Sequence, residues 1–364
     1  MLSNHDARLL ARKMSPSCVC LTLKVIRRTA LCSVVWILGM LSFARADTPK
    51  VYATIKEHEI HNAVLSPDGK TLAIVSGLNE IVLWDIASKN VRKRFKKPGY
   101  PSSYFIFAPD SKSLFFEVGR FVVQMDLANG KLTEFCRHQK TAANPGIIVC
   151  FAISADGKSV ASADVGHIVK ISDVGSTKEV LSLKADGSVL ALAFLPDGKT
   201  LAGCVGGDEK YRSAWGAWMW DVAGIKKPRH LHDGQYFDHR MAVSPDGRSL
   251  FAVDGPNEIL RVFDLQGEKL KWRWKLGLGL DALALSPNGR MVTVAGGRAG
   301  SGPGRLAFID AETGKSIAEF DVLDDVIRSL SFSPDGKLLA VACERAKNEM
   351  VILDVSAIIG KSKE

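Results

Sequence analysis

The chain is poor in the residue patterns that announce chemistry. Its 364 residues include seven cysteines, eight histidines and only 8% aromatics. No two cysteines form a Cys-x-x-Cys pair, which excludes a zinc ribbon and a haem-attachment motif. No G-x-S-x-G elbow is present, because Gly300-Ser301-Gly302 lacks the spacing that exposes a nucleophilic serine on a strand-to-helix turn. Gly314-Lys315-Ser316 has Ile309 where the first glycine of a phosphate loop should stand, and no helix is expected after it. No apolar run reaches the roughly 20 residues that a helix needs to cross a bilayer. With 24% charged and 46% hydrophobic residues, 32 glycines and 14 prolines, a disordered, collagen-like or multi-span membrane protein is also excluded.

Residues 1–46 read as a signal peptide. Arg8, Arg12, Lys13, Lys24, Arg27 and Arg28 precede the uncharged stretch Thr29 to Ala44, whose apolar run is Thr29 to Phe43, and Ala44-Arg45-Ala46 offers small residues where a signal peptidase inspects the chain. Cleavage is expected after Ala46, with export to the periplasm, cell envelope or medium and no membrane span left behind. Met14 is an alternative start. The leader carries seven Lys/Arg and one Asp, so the formal charge of +9 falls to 41 basic against 38 acidic residues once it is removed. The headline basicity is a sorting signal, and nucleic acid is not an expected partner, since phosphate binding needs a clustered basic surface. Cys18, Cys20 and Cys32 leave with it. Cys136, Cys150, Cys204 and Cys343 remain and are expected as buried thiols on strands.

A turn motif recurs seven times: Ser66-Pro67-Asp68-Gly69, Ala108-Pro109-Asp110-Ser111, Ser154-Ala155-Asp156-Gly157, Leu195-Pro196-Asp197-Gly198, Ser244-Pro245-Asp246-Gly247, Ser286-Pro287-Asn288-Gly289 and Ser333-Pro334-Asp335-Gly336. Proline presets φ for a tight turn, Asp or Asn bonds its own backbone, and glycine takes the position with φ above zero. Short β-type runs flank each turn, and one of them closes on an acidic residue in every unit: Asp85, Asp126, Asp173, Asp221, Asp264, Asp310 and Asp354. The fourth run is amphipathic, as in Leu270, Trp272, Trp274 and Leu276 alternating with Lys269, Lys271, Arg273 and Lys275. Four short antiparallel strands in units of about 40–45 residues, seven times over, predict an all-β, seven-bladed β-propeller spanning 47–360, with 361–364 a polar tail. The last unit lacks a fourth strand and Val51 to Lys56 lies ahead of the first unit. That segment is therefore expected to complete the last blade and close the ring.

The seven turns, with Trp84-Asp85 and Trp220-Asp221, resemble WD40 repeats, and Met125-Asp126-Leu127-Ala128-Asn129-Gly130-Lys131 and Ile309-Asp310-Ala311-Glu312-Thr313-Gly314-Lys315 resemble the related YVTN-type exported propellers. The resemblance implies a binding scaffold. No Gly-His pair opens a unit and five units lack the tryptophan, so the blades are expected to hold by apolar packing more than by the hydrogen-bonded network of that family.

Histidines 58, 61, 138 and 167 are isolated, as expected of surface or strand-end residues. His230, His232, Asp233, Asp238 and His239 are the one concentration of metal-ligand types, but they fall where a connection leaves blade four, so no metal and no cofactor are expected. The basic runs Arg92 to Lys97 and Lys269 to Lys275 fall on outermost strands, where lysines guard an open sheet edge. Two units are enlarged. From the second turn position to the closing Asp, Pro196 to Asp221 spans 25 residues and Pro287 to Asp310 spans 23, against 17 to 20 elsewhere. Both insertions fall between second and third strands, on the face that also carries the connections between blades. Tyr211, Arg212 and Trp215 in the first insertion, Arg298 and Arg305 in the second, and Tyr236, Asp238 and His239 between blades are the expected partner-binding residues. The expected function is a monomeric, non-catalytic scaffold for a protein partner. The alternative is a quinoprotein-like or lactonase-like enzyme, with His61, Asp164, Asp208, His239 and Arg298 at the central channel.

Overall fold

The computed structural model describes residues 48–361 apart from 78–79, 99–103, 143, 207–208, 232–239, 255–256, 278, 298–301, 324 and 344–348. The leader, 1–46, lies outside the described residues.

Twenty-eight strands among the described residues form seven four-stranded antiparallel sheets. The first strand, β1 (Lys50–Lys56), stands apart from its sequence neighbours. Blade one holds β2 (Ile60–Leu65), β3 (Thr71–Ser76), β4 (Glu80–Asp85) and β5 (Asn90–Lys96). Blade two holds β6 (Phe105–Phe107), β7 (Ser113–Val118), β8 (Phe121–Asp126) and β9 (Leu132–Phe135). Blade three follows with β10 (Ile148–Ile153), β11 (Ser159–Asp164), β12 (Ile168–Asp173) and β13 (Glu179–Lys184). Blade four has β14 (Ser188–Phe194), β15 (Thr200–Gly206), β16 (Gly216–Asp221) and a short β17 (Arg229–Leu231). Blade five is β18 (Met241–Val243), β19 (Ser249–Asp254), β20 (Ile259–Asp264) and β21 (Lys269–Lys275), and blade six is β22 (Ala282–Leu285), β23 (Met291–Gly296), β24 (Gly304–Asp310) and β25 (Ser316–Val322). Blade seven takes only β26 (Ile327–Phe332), β27 (Leu338–Cys343) and β28 (Glu349–Asp354) from its own stretch of chain.

Its fourth strand is β1, paired antiparallel with β28 from Lys50↔Asp354 to Lys56↔Glu349. The expected closure is therefore what the chain does, and the stretch from Lys50 onward contains seven complete blades. After β28 the chain forms a short helix, α1 (Ser356–Lys361), whose Ile358 is buried against blade seven. Each blade buries both faces: second strands such as β3 and β23 are buried at every residue, as expected where a sheet is sandwiched between neighbours. The four cysteines after the leader are buried, as expected.

The turn motif does more than reverse the chain. In blade one the Ser66 hydroxyl donates to Asp68 Oδ1 and accepts from the Thr71 amide, while Asp68 Oδ1 accepts from the Lys70 amide. Blades three, five, six and seven repeat this pattern from Ser154, Ser244, Ser286 and Ser333. The glycine then meets the neighbouring blade. A Cβ built on Gly69, at φ +71°, would lie 3.2 Å from Pro334, and Gly157, Gly247, Gly289 and Gly336 abut Pro109, Pro196, Pro245 and Pro287 in the same way. The prolines thus bridge five of the seven blade junctions on the turn face. Blade three has Ala155 in place of proline, and Gly198 of blade four, which should receive it, has nothing within 4 Å. Ala155→Pro is expected to fill that gap and stabilise the fold by about 0.5–1 kcal/mol through a stiffer unfolded chain, read as a raised urea midpoint; a lowered midpoint would mean that the alanine turn differs from the other six.

Candidate functional site

Because the strands alternate in direction, connections between second and third strands leave at the same end of the ring as connections between blades, opposite the seven turns. Both enlarged connections, between β15 and β16 and between β23 and β24, therefore belong to one face, as expected. On it, residues Glu209–Ala214 form a 3-10 helix that carries Tyr211 and Arg212. The Arg212 guanidinium lies 5.7 Å from the ring centre of Trp215, which is itself 7% exposed. Trp215 is thus the floor and Arg212 the exposed group. The ledge is held from below: the Trp218 indole N–H donates to the Ala214 carbonyl at 2.8 Å, and His230 Nε2 sits 3.1 Å from the Trp215 carbonyl. The His230 ring stacks on Trp218 with centroids 4.2 Å apart. Gly216, at φ +140°, passes so close to His230 and Leu231 that a Cβ would approach each to 2.8 Å, so glycine is required here. His230 is accordingly a structural brace. Its former companions His232, Asp233, Asp238 and His239, with Tyr236, lie outside the described residues, as does Arg298. Arg305 stands on β24, where its Nε donates to Asp321 at 3.1 Å.

The same end of the central channel collects a polar group that sequence reading missed. A cavity of about 290 Å³ is lined by Tyr104, Glu117, Cys150, Phe151, Arg240 and Met241. A second, of about 200 Å³, shares Tyr104 and Arg240 and adds Arg328, Ser329 and Ser331. Arg240 donates to the Asp281 carbonyl, and Arg328 pairs with the Asp281 carboxylate at 2.7 Å. Surrounding protein shields the Tyr104 hydroxyl and raises its pKa above the ordinary phenol range, although 38% of the residue remains exposed. All seven blades contribute to these walls, so no local motif could have revealed them. Larger depressions, such as one of about 610 Å³ between blades five and six, lie on the turn face. They recur between blades one and two, which marks them as seams of the architecture.

Two sequence expectations are corrected. Lys97 closes a run expected to be solvated, yet it is 1% exposed, with its ammonium 5.4 Å from the Phe116 ring centre. Burial pushes its pKa down to about 8 against the pull of Glu117. It leaves the edge strand and turns inward at the blade connection. His138, expected at the surface or a strand end, is fully buried in the connection after β9: Nε2 lies 2.8 Å from Ser162 Oγ and Nδ1 lies 3.0 Å from Asp164 Oδ2. Asp164 also accepts from the Asn144 side chain and from the Gly166 and Ile168 amides, all at 2.9 Å. Blade three therefore does carry a buried hydrogen-bonded network, built from the connection before it and its second strand. Ser, His and Asp in this order have the composition of a nucleophilic triad, but exposures of 0–1% for all three deny the serine a substrate. Asp164 is taken up by this clasp, and His61 lies on β2; Asp208, His239 and Arg298 lie outside the described residues.

Burial lowers the His138 pKa, so the imidazole is held neutral. The unfolded chain binds a proton there that the native chain does not, and stability is lost as pH falls below about 6.5. Turn carboxylates act lower. The Ser154 and Ser244 hydroxyls hold Asp156 and Asp246 below the usual range, and Ser176 and Ser356 do the same for Asp173 and Asp354. Their contribution is complete above the ordinary carboxylate pKa of about 4 and lost below it. Urea midpoints measured across pH are expected to decline from about 6.5 and more steeply below about 4, and His138→Gln to remove the first decline; a flat profile down to pH 4 would contradict the neutral imidazole.

The family model described as "WD domain, G-beta repeat" (WD40) matches residues 314–346, the last strand of blade six and the first two of blade seven. This is a seven-bladed propeller with one segment that matches the WD40 repeat. Among solved structures, the β-propeller domain of Cps50 (Swd1) from Myceliophteria thermophila is similar to it, with a TM-score of 0.68 over 85% of this chain and 100% of that one. Identity is 14%, so the likeness concerns the fold alone. No curated protein matches the sequence. The matched segment runs from the outer strand of blade six into blade seven and so joins neighbouring sheets, as the Pro–Gly contacts do on the turn face. WD40 propellers commonly bind proteins.

Proposed function

We propose that this chain is an exported, monomeric, non-catalytic scaffold that binds a protein partner on the face formed by its blade connections. One observation carries the reading: both enlarged connections leave at the end of the ring where the polar cavities open. Arg212 is displayed there on a braced ledge, and arginine beside aromatic rings is the type of group that dominates interface energy. Tyr211, Arg305 and, by their places in the sequence, Tyr236, Asp238, His239 and Arg298 join it. Export rests on the leader, with its basic region, the apolar run Thr29 to Phe43 and Ala44-Arg45-Ala46.

Arg212→Ala and Arg240→Ala are each expected to weaken the partner recovered from a cell-envelope extract about 5- to 30-fold. Lys112→Glu on the turn face should leave it unchanged. Equal retention by all three, with unchanged melting temperatures, would place the binding surface elsewhere.

A further inference from the structure

The connection between β16 and β17 runs from Val222 to Pro228, seven residues where the equivalent segments of blades one, two, three, five and six have four or five. It is built rather than slack. The Asp221 carboxylate accepts from the Ile225 and Lys226 amides, the Gly224 amide donates to the Asp221 carbonyl, and Gly224 packs on Leu181 of blade three. This turn holds Ile225 out at 85% exposure, the highest of any large apolar side chain among the described residues. Exposed Lys226 and Lys227 follow it directly. Arg229 then pairs with Glu268 at 2.8 Å, joining the segment to the outer strand of blade five, where Lys269, Leu270, Arg273 and Lys275 are exposed. The acids along this flank are committed: Asp221 to its own turn, Glu268 to Arg229, and Asp264 to the amide of Gln266. The result is a fixed apolar tip among exposed cations, Lys226, Lys227, Lys269, Arg273 and Lys275, which outnumber the Asp221 and Asp264 carboxylates beside them.

We propose that this flank docks on an anionic lipid bilayer, with Ile225 at the boundary between headgroups and acyl chains and the lysines over anionic headgroups. Lysines alone would serve any polyanion. A rigidly displayed isoleucine gains free energy only where it can leave water, and the pairing of a short apolar insertion with a basic patch is what an interfacial contact requires. The flank is separate from the ledge at Arg212, so this inference stands independently of the proposed partner face.

The test is co-sedimentation with vesicles of phosphatidylcholine alone or with a quarter phosphatidylglycerol. It uses the chain from Pro49, which contains all seven blades and lacks the apolar leader, with the full chain beside it. Binding is expected only to the anionic vesicles, to weaken with salt, to drop about tenfold in Ile225→Ala and about thirtyfold in Lys226→Glu/Lys227→Glu. Arg212→Ala should bind vesicles like the parent, and the exposed positions should leave melting temperatures unchanged. No preference for anionic vesicles would overturn the proposal. Undiminished vesicle binding by Ile225→Ala together with equal binding to soluble polyphosphate would also overturn it, in favour of a polyanion surface.

Discussion

Replacing Asp164 by alanine is expected to cost about 4 kcal/mol of folding stability. The carboxylate is 1% exposed and serves four donors or contacts at once: the Asn144 side chain, the Gly166 and Ile168 amides and His138. Truncation leaves the fully buried His138 and three part-buried donors without this acceptor, and an orphaned buried donor costs about 1–3 kcal/mol. Ser162→Ala removes one neutral partner and should cost nearer 1 kcal/mol. Equilibrium urea unfolding of the two variants separates them; a loss under about 1 kcal/mol for Asp164→Ala would show that water reaches the network.

Removing residues 1–56 is expected to abolish the monomeric ring. The strand β1 pairs with β28 along six residue pairs, buries Ile55 against blades seven and one, and ties to blade one where the Tyr52 hydroxyl donates to the Ile86 carbonyl. Lys89 returns the contact, donating to the Tyr52 carbonyl with its ammonium 4.1 Å above the ring. Without β1, β28 becomes an open apolar edge, an invitation to pair with another chain. The loss should approach the whole net stability of a domain, on the order of 5–15 kcal/mol, seen as association in size-exclusion chromatography and loss of a cooperative melt. In the intact chain, Thr54→Cys/Val351→Cys, at paired positions, should form a disulfide within one molecule, since facing Cα atoms in an antiparallel pair lie within bridging range. A truncated chain that melts like its parent would refute the closure.

What could be read from the amino acids was whatever repeats or alternates. Seven turns, the closing aspartates and the amphipathic fourth strands gave the blade count, and the leftover segment at 51–56 found its place because one blade was short of a strand. Contacts that assemble across blades left no such trace. The His138 clasp joins the connection ahead of blade three to Ser162 and Asp164, 24 and 26 positions further on, and the channel cavities draw Glu117, Arg240 and Arg328 from three separate repeats. Lys97 looked like one more basic residue in Arg92 to Lys97, because burial at the end of a strand depends on how the connection turns. Proline in the turns was legible as a φ constraint but not as a contact with the next blade's glycine. At the ledge the residue types were visible, while the roles were not: Trp215 lies beneath Arg212, and His230 braces it.

The most direct measurement of the binding-face claim is hydrogen exchange of the chain with and without the partner it captures. Protection is expected at the face of blade connections, in residues 104–106, 209–216 and 240–243, with the seven turns unchanged. Protection concentrated instead at turns such as 66–71, 108–113 and 244–249 would contradict it.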